Sequence, residues 1–121
     1  MEPFVKWAGG KRQLLEKLNA RIPNGGYKRY YEPFVGAGAF WLDLRPQTAI
    51  VNDINEQLIN CYNVIKDNPR ELIRKIDGLD HGQRDKEGYL ANRDRYNQKI
   101  IAGELDIETA ALMIWLNKHC F

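Results

Sequence analysis

Three short segments of this 121-residue chain carry side chains that can hold a ligand. Tyr31-Glu32-Pro33-Phe34-Val35-Gly36-Ala37-Gly38-Ala39-Phe40 sets a carboxylate just ahead of a Gly-x-Gly turn. Trp7-Ala8-Gly9-Gly10-Lys11 precedes it, and Asn52-Asp53-Ile54-Asn55 follows, with Asp53 fifteen residues beyond Gly38. Gly-x-Gly lets backbone amides come close to a ligand, because no side chain stands in the way. A carboxylate that ends a second strand can accept hydrogen bonds from ribose hydroxyls. A lysine before a helix can meet a carboxylate, and a tryptophan can wall a pocket. Each residue also has a plainer role. Asp53 could cap the next helix, alone or with Asn52 or Asn55. Lys11 could be solvated, and Trp7 could be core.

The kind of ligand can be narrowed. A dinucleotide fingerprint wants a third glycine for close helix–strand packing, and Trp41 stands in that place. A Walker A loop needs glycine six residues before its lysine and Ser or Thr after it. Val5 and Arg12 occupy those positions around Lys11. Glu32 repels phosphate but pairs with an ammonium group. A ligand with an amino-acid end and no phosphates fits these residues better, and S-adenosylmethionine is such a ligand.

The elements that must position these groups follow from pattern. Leu14, Leu15 and Leu18 recur at helical spacing and predict a helix over about 11–20. Tyr27 to Glu32 reads as a strand, closed by Pro33. Ala39 to Leu44 reads as a short helix, stopped near Pro46. Thr48 to Asn52 is β-branched and apolar, as in a parallel strand buried on both faces. A strand, glycine turn, helix, strand and carboxylate in that order is a nucleotide-binding βαβ half. Beyond it the pattern turns helical. Leu58, Ile59, Tyr62 and Ile65 make one helical face. Asn68-Pro69-Arg70-Glu71 reads as an N-cap, a first-turn proline and a capping Glu. Leu72, Ile73 and Ile76 follow, with Gly78 closing that helix. Asp77 to Gly88 reads as a polar loop. Tyr89, Arg93, Tyr96 and Ile100 predict a helix that ends at Gly103. Asp106 caps a last helix with Ala111, Leu112, Trp115 and Leu116 on one face.

Composition bounds the class. The chain is 44% hydrophobic and 28% charged, a globular balance. Its length favours one compact domain, and no apolar run reaches the roughly 18 residues of a membrane span. The early apolar residues, broken by Lys6, Gly9, Gly10 and Lys11, are no signal peptide, so a cytoplasmic protein is expected. Cys61 and Cys120 make no CxxC pair, and no His/Cys cluster suggests zinc, so neither a bridge nor a metal site is expected. The formal net charge of +2 does not by itself predict nucleic-acid binding. Lys6, Lys11, Arg12, Lys17, Arg21, Lys28 and Arg29 nevertheless crowd the first thirty residues.

Taken together, F-x-K-W-A-G-G-K, Y-x-E-P-F-x-G-x-G and N-D-x-N in this order resemble the N-terminal part of the Dam-like DNA adenine-N6 methyltransferases, over nearly the whole chain. The resemblance implies an α/β chain. Residues 1–55 would be part of a Rossmann-like, S-adenosylmethionine-dependent methyltransferase domain. Residues 56–121 would be the helical start of a target-recognition domain. It implies methyl transfer to N6 of adenine in duplex DNA, in restriction–modification or housekeeping methylation. Trp7 and Lys11 would contact the cofactor. Glu32, Phe34, Gly36 and Gly38 would line its methionine side. Asp53 would bind the ribose, with Ile54 beside the adenine. No metal and no membrane are implied. The family's Asp-Pro-Pro-Tyr catalytic motif is absent, since Pro3, Pro23, Pro33, Pro46 and Pro69 include no adjacent pair. The expectation is therefore an inactive N-terminal fragment of an enzyme more than twice this length. With the strand that carries that motif missing, it would self-associate through a bare strand edge and through the face of Leu112, Trp115 and Leu116. The rival readings are a methyltransferase of the same fold with another substrate, and a non-catalytic DNA-binding or interaction module.

Overall fold

The computed structural model describes residues 1–82 and 84–120. The chain divides into two compact units, Met1–Ile54 and Asn55–Phe121. The first is mixed α/β. After a turn in which Gly10 N–H donates to Trp7 O at 3.2 Å, a single tight helical turn, Arg12–Leu14, runs into α1 (Leu15–Asn19). Strand β1 (Tyr30–Glu32), helix α2 (Ala39–Leu44) and strand β2 (Ala49–Val51) follow.

The two strands pair in parallel, with Tyr30 opposite Ala49, Tyr31 opposite Ile50 and Glu32 opposite Val51. Parallel neighbours cannot be joined by a hairpin, so the chain must cross over, and α2 makes that crossover. The pairing outlasts the strands. Asn52 N–H donates to Glu32 O and Val35 N–H to Asn52 O, both at 2.8 Å. The end of β2 is thus pinned against the turn that leaves β1. Val5, Val35, Ala37 and Ala39 form the buried apolar centre of this unit.

Two expectations for the sheet need correction. The first strand is shorter than Tyr27 to Glu32, because Tyr27, Lys28 and Arg29 make no ladder. The second is not buried on both faces. Ile50 is 56% exposed and its register partner Tyr31 57% exposed. The reason is the small sheet. Side chains alternate between faces, so Tyr31 and Ile50 share the face opposite Tyr30 and Glu32. Among the described residues no strand pairs with the other edge of β1.

The second unit is four helices: α3 (Glu56–Asp67), α4 (Pro69–Asp80), α5 (Lys86–Ile101) and α6 (Ile107–His119). Asn55, Asp85 and Asp106 cap α3, α5 and α6, each side chain accepting from a backbone N–H three residues on. Asn68 does not cap with its side chain, contrary to expectation. It serves two helices at once, since its N–H closes α3 on Val64 O at 2.8 Å while its carbonyl accepts from Leu72 N–H at 3.0 Å. That double duty holds its backbone away from cap geometry. Nor does Gly78 end α4. The helix runs on to Asp80, whose carboxylate accepts from Trp115 Nε1 at 3.1 Å. This bond outweighs a glycine in the last turn, which costs only about 1 kcal/mol. The polar loop shrinks accordingly, because Asp85 starts α5 early and buries Gly88 inside it. Gln83, within the expected loop, lies outside the described residues. At the end of α5, Gly103 (φ +72°) donates to Ile100 O and Glu104 to Lys99 O, a Schellman close that needs glycine's left-handed backbone.

Helix α6 is the core of this unit. Ala111, Leu112, Trp115 and Leu116 are 0%, 1%, 1% and 8% exposed, and α3, α4 and α5 all pack on it. The expectation that Leu112, Trp115 and Leu116 offer a bare face for self-association is therefore wrong. A sequence pattern marks an apolar face but does not say whether α3, α4 and α5 already cover it. The buried stripe of α3 is also Leu58, Cys61 and Val64, one position round from the face expected. Burial pushes the Cys61 thiol up to about 12, so it packs as an apolar group, 3.4 Å from Met113 Sδ. Cys61 and Cys120 are both free. Among the described residues no helix is long and apolar enough to cross a membrane, and no His/Cys/Asp/Glu group could hold a metal.

One buried cation ties α5 to α6. Lys99, 8% exposed, lies 2.7 Å from Glu104, 2.9 Å from Asp106 and 3.6 Å from Glu108. Glu108 also pairs with Arg95. Burial alone would raise the Asp106 carboxyl, but hydrogen bonds from Thr109 and Lys99 outweigh it and bring it to about 2. A carboxyl lowered on folding contributes stability above its unfolded value and loses it as pH falls. Acid titration followed by far-UV circular dichroism should therefore show a loss of stability from about pH 4 to about pH 2. Asp106→Asn, which keeps an acceptor for the cap, should flatten that loss. Lys99→Met should cost about 1–2 kcal/mol in urea denaturation, because its half-exposed carboxylates can rehydrate when the cation is gone.

Candidate functional site

The site grows from one buried carboxylate. Glu32 is the last residue of β1 and is 7% exposed. A buried charge must be paired and hydrogen-bonded, or it loses far more solvation than it can recover. Lys11 Nζ meets Glu32 Oε1 at 3.1 Å and also donates to the Phe34 carbonyl. The Tyr30 hydroxyl donates to Glu32 Oε2. Both carboxylate oxygens are thus held, one by an ammonium and one by a phenol.

The glycine turn begins four residues beyond Glu32, at Gly36. Gly36 has φ +53°, and a Cβ added there would stand 3.3 Å from Trp7 Cδ1. Glycine is required twice over, by backbone conformation and by the indole packed upon it. Gly38 (φ +78°) takes a left-handed conformation at the start of α2, and its carbonyl accepts from Leu42 N–H at 2.8 Å. Asp53 closes the arrangement, its Oδ2 accepting from Gly36 N–H at 3.0 Å. It does not cap α3, because Asn55 does, so the plainer role open to Asp53 is already filled.

The structure thus brings Trp7, Lys11, Glu32, Gly36 and Asp53 into one connected cluster, with Gly38 next along the turn. Lys11 belongs to the ion pair and is not simply solvated. Phe34 joins through its carbonyl alone, since its side chain is 72% exposed. Ile54 follows Asp53 in the chain, but its side chain is open to solvent at 94% exposure. Sequence reasoning missed Tyr30. The signal was present, since residues two apart on a strand share a face, and Tyr-Tyr-Glu sets Tyr30 beside Glu32.

The arrangement can do two things chemically. It presents a Lys–Glu pair that complements both charges of an amino-acid zwitterion. It also sets the indole of Trp7 against the glycine turn at Gly36, an aromatic wall for a flat ligand group.

Comparison with known proteins places this geometry in context. Residues 7–121 match the family described as D12 class N6 adenine-specific DNA methyltransferase. The chain is 40% identical over 116 residues to the type II methyltransferase M1.LlaDCHI of Lactococcus lactis subsp. cremoris, covering 96% of this chain and 40% of that protein. It is 38% identical over 118 residues to the DNA N-6-adenine-methyltransferase of Escherichia phage P1, covering 98% of this chain and 15% of that protein. It is 37% identical over 136 aligned residues to the type II methyltransferase M.MjaIII of Methanocaldococcus jannaschii, covering 100% of this chain and 46% of that protein. The chain therefore spans less than half the length of each of these relatives. With the match running through 115 of its residues, this chain belongs to the D12 class N6 adenine-specific DNA methyltransferase family.

Proposed function

We propose that this chain is the cofactor-binding portion of a site-specific DNA adenine methyltransferase, using S-adenosylmethionine as methyl donor and duplex DNA as acceptor. Residues 1–55 are read as part of a Rossmann-like methyltransferase domain, and residues 56–121 as the start of a target-recognition domain. Cytoplasmic action on DNA accords with this reading. The parallel β1–α2–β2 crossover supports this reading, since such a sheet is built from repeats of that unit. Among the described residues no strand pairs with the other edge of β1, beside exposed Tyr31, and such an edge would favour self-association.

One observation carries the cofactor reading. Glu32 and the Phe34 carbonyl already clasp an ammonium, that of Lys11. The acceptors for a ligand's amino group are thus in place, and Lys11 offers a cation to its carboxylate. The chemistry of this donor set fits an amino-acid end and does not fit a pyrophosphate, which Glu32 would repel.

When bound, S-adenosylmethionine supplies a methyl carbon made electrophilic by its sulfonium. The residues here bind and orient. Lys11 and Glu32 hold the amino-acid end. Gly36 and Gly38 let the backbone lie against the ligand. Asp53 accepts from the ribose, Trp7 walls the pocket, and Ile54 offers an apolar surface to the adenine ring. The target base must leave the duplex stack to present its amine. These 121 residues contain no Asp-Pro-Pro-Tyr motif to hold it.

Isothermal titration calorimetry with S-adenosylmethionine tests the site. Glu32→Gln and Asp53→Ala should each weaken binding by about tenfold or more, the size expected for a lost hydrogen bond to a charged group. Asp53→Asn keeps an acceptor for Gly36 N–H and separates ligand contact from turn integrity. Unchanged affinity in Glu32→Gln would contradict the assignment. The 121-residue chain should also transfer no labelled methyl group to adenine in duplex DNA, and incorporation that Asp53→Ala abolishes would refute that.

A further inference from the structure

We propose that Tyr30 is a positioning residue for the cofactor's amino group, acting through Glu32. This rests on the reading that Glu32 receives the ammonium of S-adenosylmethionine. Four observations bear on it. Tyr30 and Glu32 are two apart on β1, so both side chains leave the same face of the strand. The Tyr30 hydroxyl donates to Glu32 Oε2, while Lys11 takes Oε1. The phenol ring is itself fixed, edge-on to Phe40 of α2 with centroids 5.8 Å apart and planes at 71°. Burial, reinforced by the hydrogen bond to Glu32, pushes the Tyr30 phenol well above its ordinary value, so it stays a donor at any working pH.

The last torsion of a glutamate is broad, so one donor leaves the plane of the group poorly defined. With Lys11 alone on Oε1, Glu32 could turn to give both oxygens to that ammonium. A ligand's amino group would then face a carboxylate already neutralised. Tyr30 prevents this by holding Oε2 from behind. A phenol does so with no positive charge, so the negative charge of Glu32 remains shared between Lys11 and the ligand. Phenylalanine at position 30 would keep the ring and its contact with Phe40 and lose only the donor.

The test compares two ligands on the 121-residue chain by isothermal titration calorimetry. One is S-adenosylhomocysteine, and the other is its desamino analogue, identical but for the missing amino group. Tyr30→Phe should weaken S-adenosylhomocysteine about five- to tenfold, the size of one ordinary hydrogen bond, since its effect reaches the ligand only through Glu32. It should leave the analogue within about twofold of wild type, the error within which independent effects add. In a Glu32→Gln background the same change should have no further effect, because the group it positions is no longer charged. Equal weakening of both ligands would make Tyr30 merely structural and overturn the proposal, as would no weakening of either. A wild-type chain that binds both ligands alike would instead show that Glu32 does not receive the amino group. A wild-type chain that binds neither would remove the cofactor reading itself, and the role of Tyr30 with it.

Discussion

A carboxylate buried at a strand end cannot stand alone, and this constraint organises the first unit. Glu32 draws Lys11 across from a distant part of the sequence and takes a hydrogen bond from Tyr30 beneath it. Lys11 in turn reaches the Phe34 carbonyl and so fixes the first residues of the turn. Removing either partner leaves a buried oxygen without a donor, which costs more than the hydrogen bond itself is worth. The same residues that stabilise the strand end also present its charge.

The second unit is held by different means. Its core is a single apolar helix, α6, covered by α3, α4 and α5. Polar links then fix the order of the elements. Asn60 Nδ2 donates to Asp106 O at 3.0 Å, and Lys99 gathers three carboxylates at the junction of α5 and α6. At the far end of α6, Trp115 bonds Asp80 and stacks on His119 at 4.5 Å. Both ends of the core helix are thus fastened to its neighbours. Among the described residues, the burial of Leu112, Trp115 and Leu116 removes one of the two surfaces that would have favoured self-association.

Much of this was legible in the sequence where the signal is local. Ala39–Leu44 falls on the expected helix, and Asp106 caps as expected, because an apolar run and a capping side chain are short-range features. Gly36 and Gly38 form the expected turn, and the structure adds that both take the left-handed backbone. What could not be read depends on contacts distant in sequence. Gly78 looked like a stop, but the bond from Trp115 to Asp80, thirty-five residues away, carries α4 past it. Ile50 looked buried on pattern, yet burial depends on how many strands flank β2, and among the described residues only one does. The approach of Asp53 to the turn after Glu32 follows from the βαβ order, whereas the grip of Tyr30 on Glu32 needed the strand's alternation to be followed back along β1.

The central claim is that the end of β1 and its glycine turn hold the amino-acid end and ribose of S-adenosylmethionine. Backbone amide chemical shifts of the isotopically labelled chain, recorded while S-adenosylhomocysteine is added, test it most directly. The account predicts that the largest changes fall on Val35, Gly36, Gly38 and Asp53, with Gly103 at the end of α5 unmoved. Changes confined to α4, α5 and α6, or no change at saturating ligand, would contradict it.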